Sequence, residues 1–146
     1  MAYCTVDEIS SEFKNIDFTA SNAAISSAEV ASFITQEERA IESRIAGVYE
    51  IPVTGSHSTS DVKLMNILMV KSRVQDILYI KTGQEKTDQG NTAVELRERV
   101  DAMIKDITER RLILTDATLA NSAVGASSYN GSNSITPTFE KGSTQW

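Results

Sequence analysis

Val62-Lys63-Leu64-Met65-Asn66-Ile67-Leu68-Met69-Val70-Lys71-Ser72-Arg73-Val74-Gln75-Asp76-Ile77-Leu78-Tyr79-Ile80-Lys81 is the run on which the fold turns. Leu64, Ile67, Leu68, Lys71, Val74, Leu78 and Lys81 recur at three-and-four spacing, which puts them on one face of a helix. Met65, Met69, Val70, Ile77 and Ile80 widen the apolar surface beyond the single stripe of a helix lying on a core. Such a helix needs neighbours on several sides and is therefore central. At 1.5 Å per residue it is about 30 Å long, enough to cross a small domain. Lys63, Lys71, Arg73, Gln75 and Asp76 interrupt the run, so it reads as a core helix and not as a membrane span.

Working outward, three Ser/Thr-x-x-Glu pairs mark helix starts by the reciprocal capping arrangement: Thr5 with Glu8, Ser26 with Glu29, and Thr92 with Glu95. The first opens a short helix from Val6 to Phe13. A loop, Lys14 to Ile25, follows, with Ile16 and Phe18 as packing anchors. The second helix runs from Ser27 to Ala46 and buries Val30, Phe33, Ile34, Ile41 and Ile45. Its wet face carries Gln36, Glu38, Arg39, Glu42 and Arg44. Gly47 stands where a left-handed C-terminal cap falls, and Pro52 imposes an extended exit. Thr54 to Ser60 reads as a polar turn carrying the single histidine, His57. Ser60 or Asp61 then caps the central helix, and Gly83 ends it. After a polar loop, Gln84 to Asn91, a fourth helix runs from Ala93 to Arg111 with Leu96, Val100, Met103, Ile104 and Ile107 inward, and Leu112-Ile113-Leu114 closes the body.

The expected fold is therefore all-α: a small bundle of about four helices around a central hydrophobic one, occupying residues 1–114. Residues 115–146 are different in kind. Ser, Thr, Asn and Gly make up 17 of these 32 residues, and the charges reduce to Asp116, Glu140 and Lys141. That composition suits an extended C-terminal arm with no core of its own. Tyr129, Ile135, Phe139 and Trp146 are spaced along it like anchors. The expectation is that they bind a partner, since aromatics supply large buried area at low entropy cost. The competing reading folds them back on the chain's own helices. Asn130-Gly131 is a two-residue turn signal for a small β-hairpin in the arm.

The whole chain, 146 residues at 40% hydrophobic and 23% charged, is long enough for one domain with a proper core. Its net charge of −6 disfavours a general coating of nucleic acid, which needs a basic surplus. The one cysteine, Cys4, allows no intrachain disulfide. Met-Ala-Tyr-Cys-Thr-Val-Asp-Glu has neither the basic start nor the apolar centre of a secretory signal, so the expectation is folding in the cytosol.

Catalytic patterns are missing. A nucleophile–base pair needs Cys4 and His57 together, yet Cys4 reads as a small buried hydrophobe and His57 as a solvated loop residue. No nucleophile elbow, phosphate-cradling loop or dinucleotide fingerprint occurs, and zinc-type spacing of Cys and His is absent. Glu95, Glu98, Asp101 and Asp106 alternate with Arg97, Arg99 and Lys105, which is a solvated charged face. The expectation is no enzyme, no metal and no cofactor. Lys105, Arg110 and Arg111 form one basic cluster, which more often complements a helix C-terminus than contacts DNA.

The run Ile34 to Val53, with its Ala46-Gly47-Val48-Tyr49-Glu50-Ile51-Pro52 exit, resembles the small head-to-tail connector (adaptor) proteins of tailed bacteriophages. So does the opening Tyr3, Thr5 and Glu8, and so does a hydrophobic helix following a polar loop. The likeness spans roughly residues 3–82. Where that group has a Pro-rich approach to its third helix, this chain has Gly55-Ser56-His57-Ser58-Thr59-Ser60, and its Ser/Asn/Gly tail has no residue-by-residue counterpart.

The resemblance implies a structural virion protein at the neck, made in the host cytoplasm. It implies a homo-oligomeric ring, commonly of twelve copies, between the portal protein and the tail or stopper protein. Packaged DNA passes through the ring without specific binding, and no membrane is involved. Twelve copies at this net charge would carry about −72, which lets DNA slide if that surface lines the channel. The nearest alternative is a head-closure (stopper) or tail-completion protein. A more distant one is a small regulatory DNA-binding helical protein, which would need a basic recognition helix that none of the four supplies.

Overall fold

The computed structural model describes residues 3–14, 16–21, 23–82 and 88–120. Four helices make up the body: α1 Val6–Glu12, α2 Ser27–Ile45, α3 Ser56–Thr82 and α4 Asp88–Thr108. Among the described residues the only β pairing is an isolated antiparallel bridge between Tyr49 and Leu119. No helix there is long and apolar enough to cross a membrane.

The first two starts form as their sequences specify. Thr5 accepts from the Glu8 amide while Glu8 accepts from the Thr5 amide, and Ser26 and Glu29 repeat the exchange. The third pair does not cap, because α4 already begins at Asp88 and Thr92 lies inside it. The polar stretch before Ala93 thus contributes the first turn of α4. The central helix is also longer than its apolar run, since it starts at Ser56 and takes His57 into its first turn.

Two apolar cores share α3. Its N-terminal half places Val62, Met65 and Leu68 against Ile41 and Ile45 of α2 and Val100, Ile104 and Ile107 of α4. Its C-terminal half places Val70 and Val74 against Ile9 of α1, Phe18, and Val30 and Ile34 of α2. A helix that serves one core on one side and a second on another carries apolar residues all round, which the width of its sequence pattern reflects. The buried set overlaps the expected stripe only in part, sharing Leu68 and Val74 with it. Leu64 is 41% exposed and Ile80 76% exposed, while Val62, Met65, Val70 and Val74 are fully buried.

Ion pairs fasten the helices at their edges. Lys71 meets Glu12 at 2.8 Å and Lys63 meets Glu8, holding α1 along α3. Arg73 bonds Glu37 at 2.9 Å and lies 4.3 Å over the Phe33 ring. The α3–α4 pair is joined by Arg97 with Asp76 and by the buried Ser72 hydroxyl, which donates to the Ala93 carbonyl at 2.9 Å. Two expectations for α2 fail. Glu38, expected wet, is buried, and desolvation raises its carboxyl pKa. Gly47 is not left-handed, because α2 closes through Val48 and Tyr49 amides that both return to the Ile45 carbonyl.

Candidate docking surface

α2 ends, α3 begins and α4 ends at one extremity of the bundle, and residues 109–120 fold across it. The fold-back starts with a left-handed Arg110 at φ 58°, after which the Arg111 amide reaches the Asp106 carbonyl at 2.8 Å. This is a Schellman-type termination with arginine in the place usually given to glycine. Leu114 then drops into the first core, and its amide donates to the Tyr49 hydroxyl at 3.0 Å. Glu50 N–H donates to the Thr118 carbonyl at 2.8 Å, and Ala120 N–H to the Val48 carbonyl at 3.0 Å. Residues 115–120, which by composition open the arm, are thus bonded to the body.

Asp116 closes the joint. Its carboxylate accepts from the backbone amides of His57 and Ser58, each at 2.8 Å, and from the Ser58 hydroxyl. An anion at a helix N-terminus meets both the orphan amides and the favourable end of the dipole. The Ser58 hydroxyl first, then the two amides, hold the Asp116 pKa down to about 2. Gly55 makes the approach sterically feasible: its φ is +103°, and a Cβ there would lie 2.5 Å from Asp116 Cγ.

Tyr3 ties the same joint from the N-terminal side. Its hydroxyl donates to Glu42 at 2.9 Å and accepts from the Val53 amide at 2.8 Å. Burial, then the bond to Glu42, pushes its pKa well above the ordinary phenol range. Between Tyr49 and Val53 the chain passes through a cis Ile51–Pro52 peptide.

Around this joint the surface is unusually apolar. Of the seven large hydrophobic side chains exposed among the described residues, four lie on its two paired segments: Ile51, Leu112, Leu119 and the 63%-exposed Ile113. The expectation that Leu112-Ile113-Leu114 closes the body therefore holds for Leu114 alone. Such a concentration marks an interaction surface more often than chance exposure does. Beside it lies an open groove of about 530 Å³ lined by Arg44, Asp101, Ile104, Lys105 and Thr108. Its charges are already spent, Arg44 on Asp101 at 2.5 Å and Lys105 facing Glu109 at 3.9 Å. Arg111 is likewise taken by Asp106 at 3.6 Å and by Glu109.

The anchors Tyr129, Ile135, Phe139 and Trp146, and the Asn130-Gly131 turn, lie outside the described residues. Cys4 is buried, and desolvation pushes its pKa up to about 11, which keeps the thiol protonated near neutrality. His57 is exposed on α3, not in a preceding turn. No group of three or more His, Cys, Asp or Glu side chains among the described residues is placed to hold a metal ion. The residue that sequence reading missed is Asp116. Its signals were its standing nearly alone as a charge in residues 115–146 and a glycine, Gly55, before a helix start that lacks a capping side chain. Compared with protein-family models, with curated proteins and with solved structures, the chain matches none.

Proposed function

We propose that the chain is a structural protein of a tailed-phage virion, a head-to-tail connector (adaptor) without catalytic activity. In this reading about twelve copies form a ring in the neck between the portal and the tail or stopper. Residues 121–146 reach from each copy to a partner, with Tyr129, Ile135, Phe139 and Trp146 as anchors, and the DNA slides through an acidic ring.

One observation carries the reading: residues 114–120 are bolted to the bundle beside an exposed apolar rim, so the chain enters residues 121–146 from a fixed point on that surface. A mount of this kind suits a segment that must bear load against another molecule. Supporting it, two of the residues carrying the resemblance, Tyr3 and Tyr49, belong to the joint. Thr5 and Glu8 cap α1, Tyr3 ties α2 to Val53, and Tyr49 bonds the returning chain.

The test is electron microscopy of particles of the encoding phage, with the chain labelled by antibody. Label at the neck is expected. Label on the tail tip or fibres, or protein missing from virions altogether, defeats the proposal. Label at the tail's upper end with none on tailless filled heads favours the tail-completion role instead. The purified chain should give no salt-dependent shift of duplex DNA at physiological ionic strength; a shift revives the regulatory alternative.

A further inference from the structure

The first turn of α3 has no cap of its own. Gly55 stands at the N-cap position without a side chain, and the amides one and two residues into the helix are bonded by Asp116, 59 and 58 positions away. The turn Ser56-His57-Ser58-Thr59 is made of residues that compete with helix by bonding nearby backbone, and so it is a weak helix former. Just beyond it, Ser60 precedes Asp61-Val62-Lys63-Leu64-Met65 and offers a second start with a capping hydroxyl already in place. In the observed structure that hydroxyl is turned back, donating to the Ser56 carbonyl at 2.8 Å.

We propose that α3 has two alternative N-termini: a long form from Ser56 that exists while Asp116 is seated, and a short form from Asp61, capped by Ser60, that replaces it when residues 115–120 lift away. Besides Asp116 the strap is held by Leu114 on Tyr49, by Thr118 on Glu50 and by Ala120 on Val48, all three within residues 48–50. The His57–Asp116 bond is exposed, as are Thr115, Thr118 and Leu119, which puts this part of the strap at the end of the stability range from which local opening is drawn, while the buried Leu114–Tyr49 bond is its anchored end. Gly55 is the hinge, since only a residue without Cβ lets the carboxylate close on the helix. The strap lies between the bundle and residues 121–146, so whatever binds those residues reaches the central helix through it. That last consequence rests on the connector reading, whereas the exchange between two helix starts does not.

Amide hydrogen exchange on the full chain, read residue by residue by NMR, tests it. In Asp116→Ala the amides of His57 to Asp61 should exchange about tenfold faster, the equivalent of a lost N-cap, while Met65 to Val74 keep wild-type protection. Gly55→Ala keeps the carboxylate but denies it its seat, and should give the same pattern. Ser60→Ala alone should leave Val62 to Leu64 unchanged, whereas combined with Asp116→Ala it should carry the loss of protection into them. Unchanged exchange at His57 to Asp61 in both single variants overturns the proposal. So does an equal rise along the whole of α3, and so does a double variant identical to Asp116→Ala. No phage partner enters these measurements, so their failure would leave the connector reading untouched.

Discussion

Arg110 adopts a backbone that costs an L-residue about 1–2 kcal/mol and glycine very little. Arg110→Gly should therefore raise stability, by roughly 0.5–1 kcal/mol once the loss of the arginine's own contacts is counted. Urea unfolding at neutral pH measures it, and a decrease would show that the side chain contributes more than the backbone strain. Asp116 gives a prediction in pH. Its folded pKa of about 2 lies below the ordinary aspartate value near 3.9, so its contribution is complete above about pH 4 and is lost as pH falls toward 2. Relative to wild type, Asp116→Asn should be least stable above pH 4 and converge with it toward pH 2. Urea midpoints at several acid pH values check this, and parallel curves would refute it.

At the scale of elements, α3 joins two cores that meet few of the same side chains. Met65→Ala in the first and Ile9→Ala in the second should each cost roughly 2–5 kcal/mol, both side chains being fully buried. The double variant should equal their sum within about 0.5 kcal/mol. A larger departure in urea unfolding would mean that the two cores act as one. The helices were legible in the sequence because their information is local: the caps at Thr5 and Ser26, the stripe Val30-Ile34-Ile41-Ile45, and the inward set of α4 from Leu96 to Ile107. What was not legible is set by distant partners. Glu38 is buried beside the backbone of Tyr3, which bonds it from far away in sequence, and α3 starts at Ser56 because of a carboxylate beyond α4. Leu64 fell on the predicted face but out of the core, because a helix apolar on all sides does not declare which sides its neighbours take. Of the docking surface, the Tyr49 exit was visible as a motif, whereas the strap over it was hidden in a stretch whose composition reads as tail.

At the scale of the whole molecule, the strap is the part of the C-terminal region that is bonded to the bundle. A chain ending at Ala120 should melt within a few degrees of the full protein and, under the connector proposal, lose attachment to phage heads. A chain ending at Ile113 also loses buried Leu114, worth about 2 kcal/mol, and should melt roughly 5–10 °C lower. Equal melting of the two truncations, followed by circular dichroism, would show that the strap is ornamental. The carboxylate at 116 that completes the start of the central helix carries one more implication, for synthesis. A ribosome delivers the opening of α3 long before it delivers that residue, so the nascent chain must hold the helix unfinished through the whole of α4. The final few angstroms of the bundle are set only after residue 116 has been made.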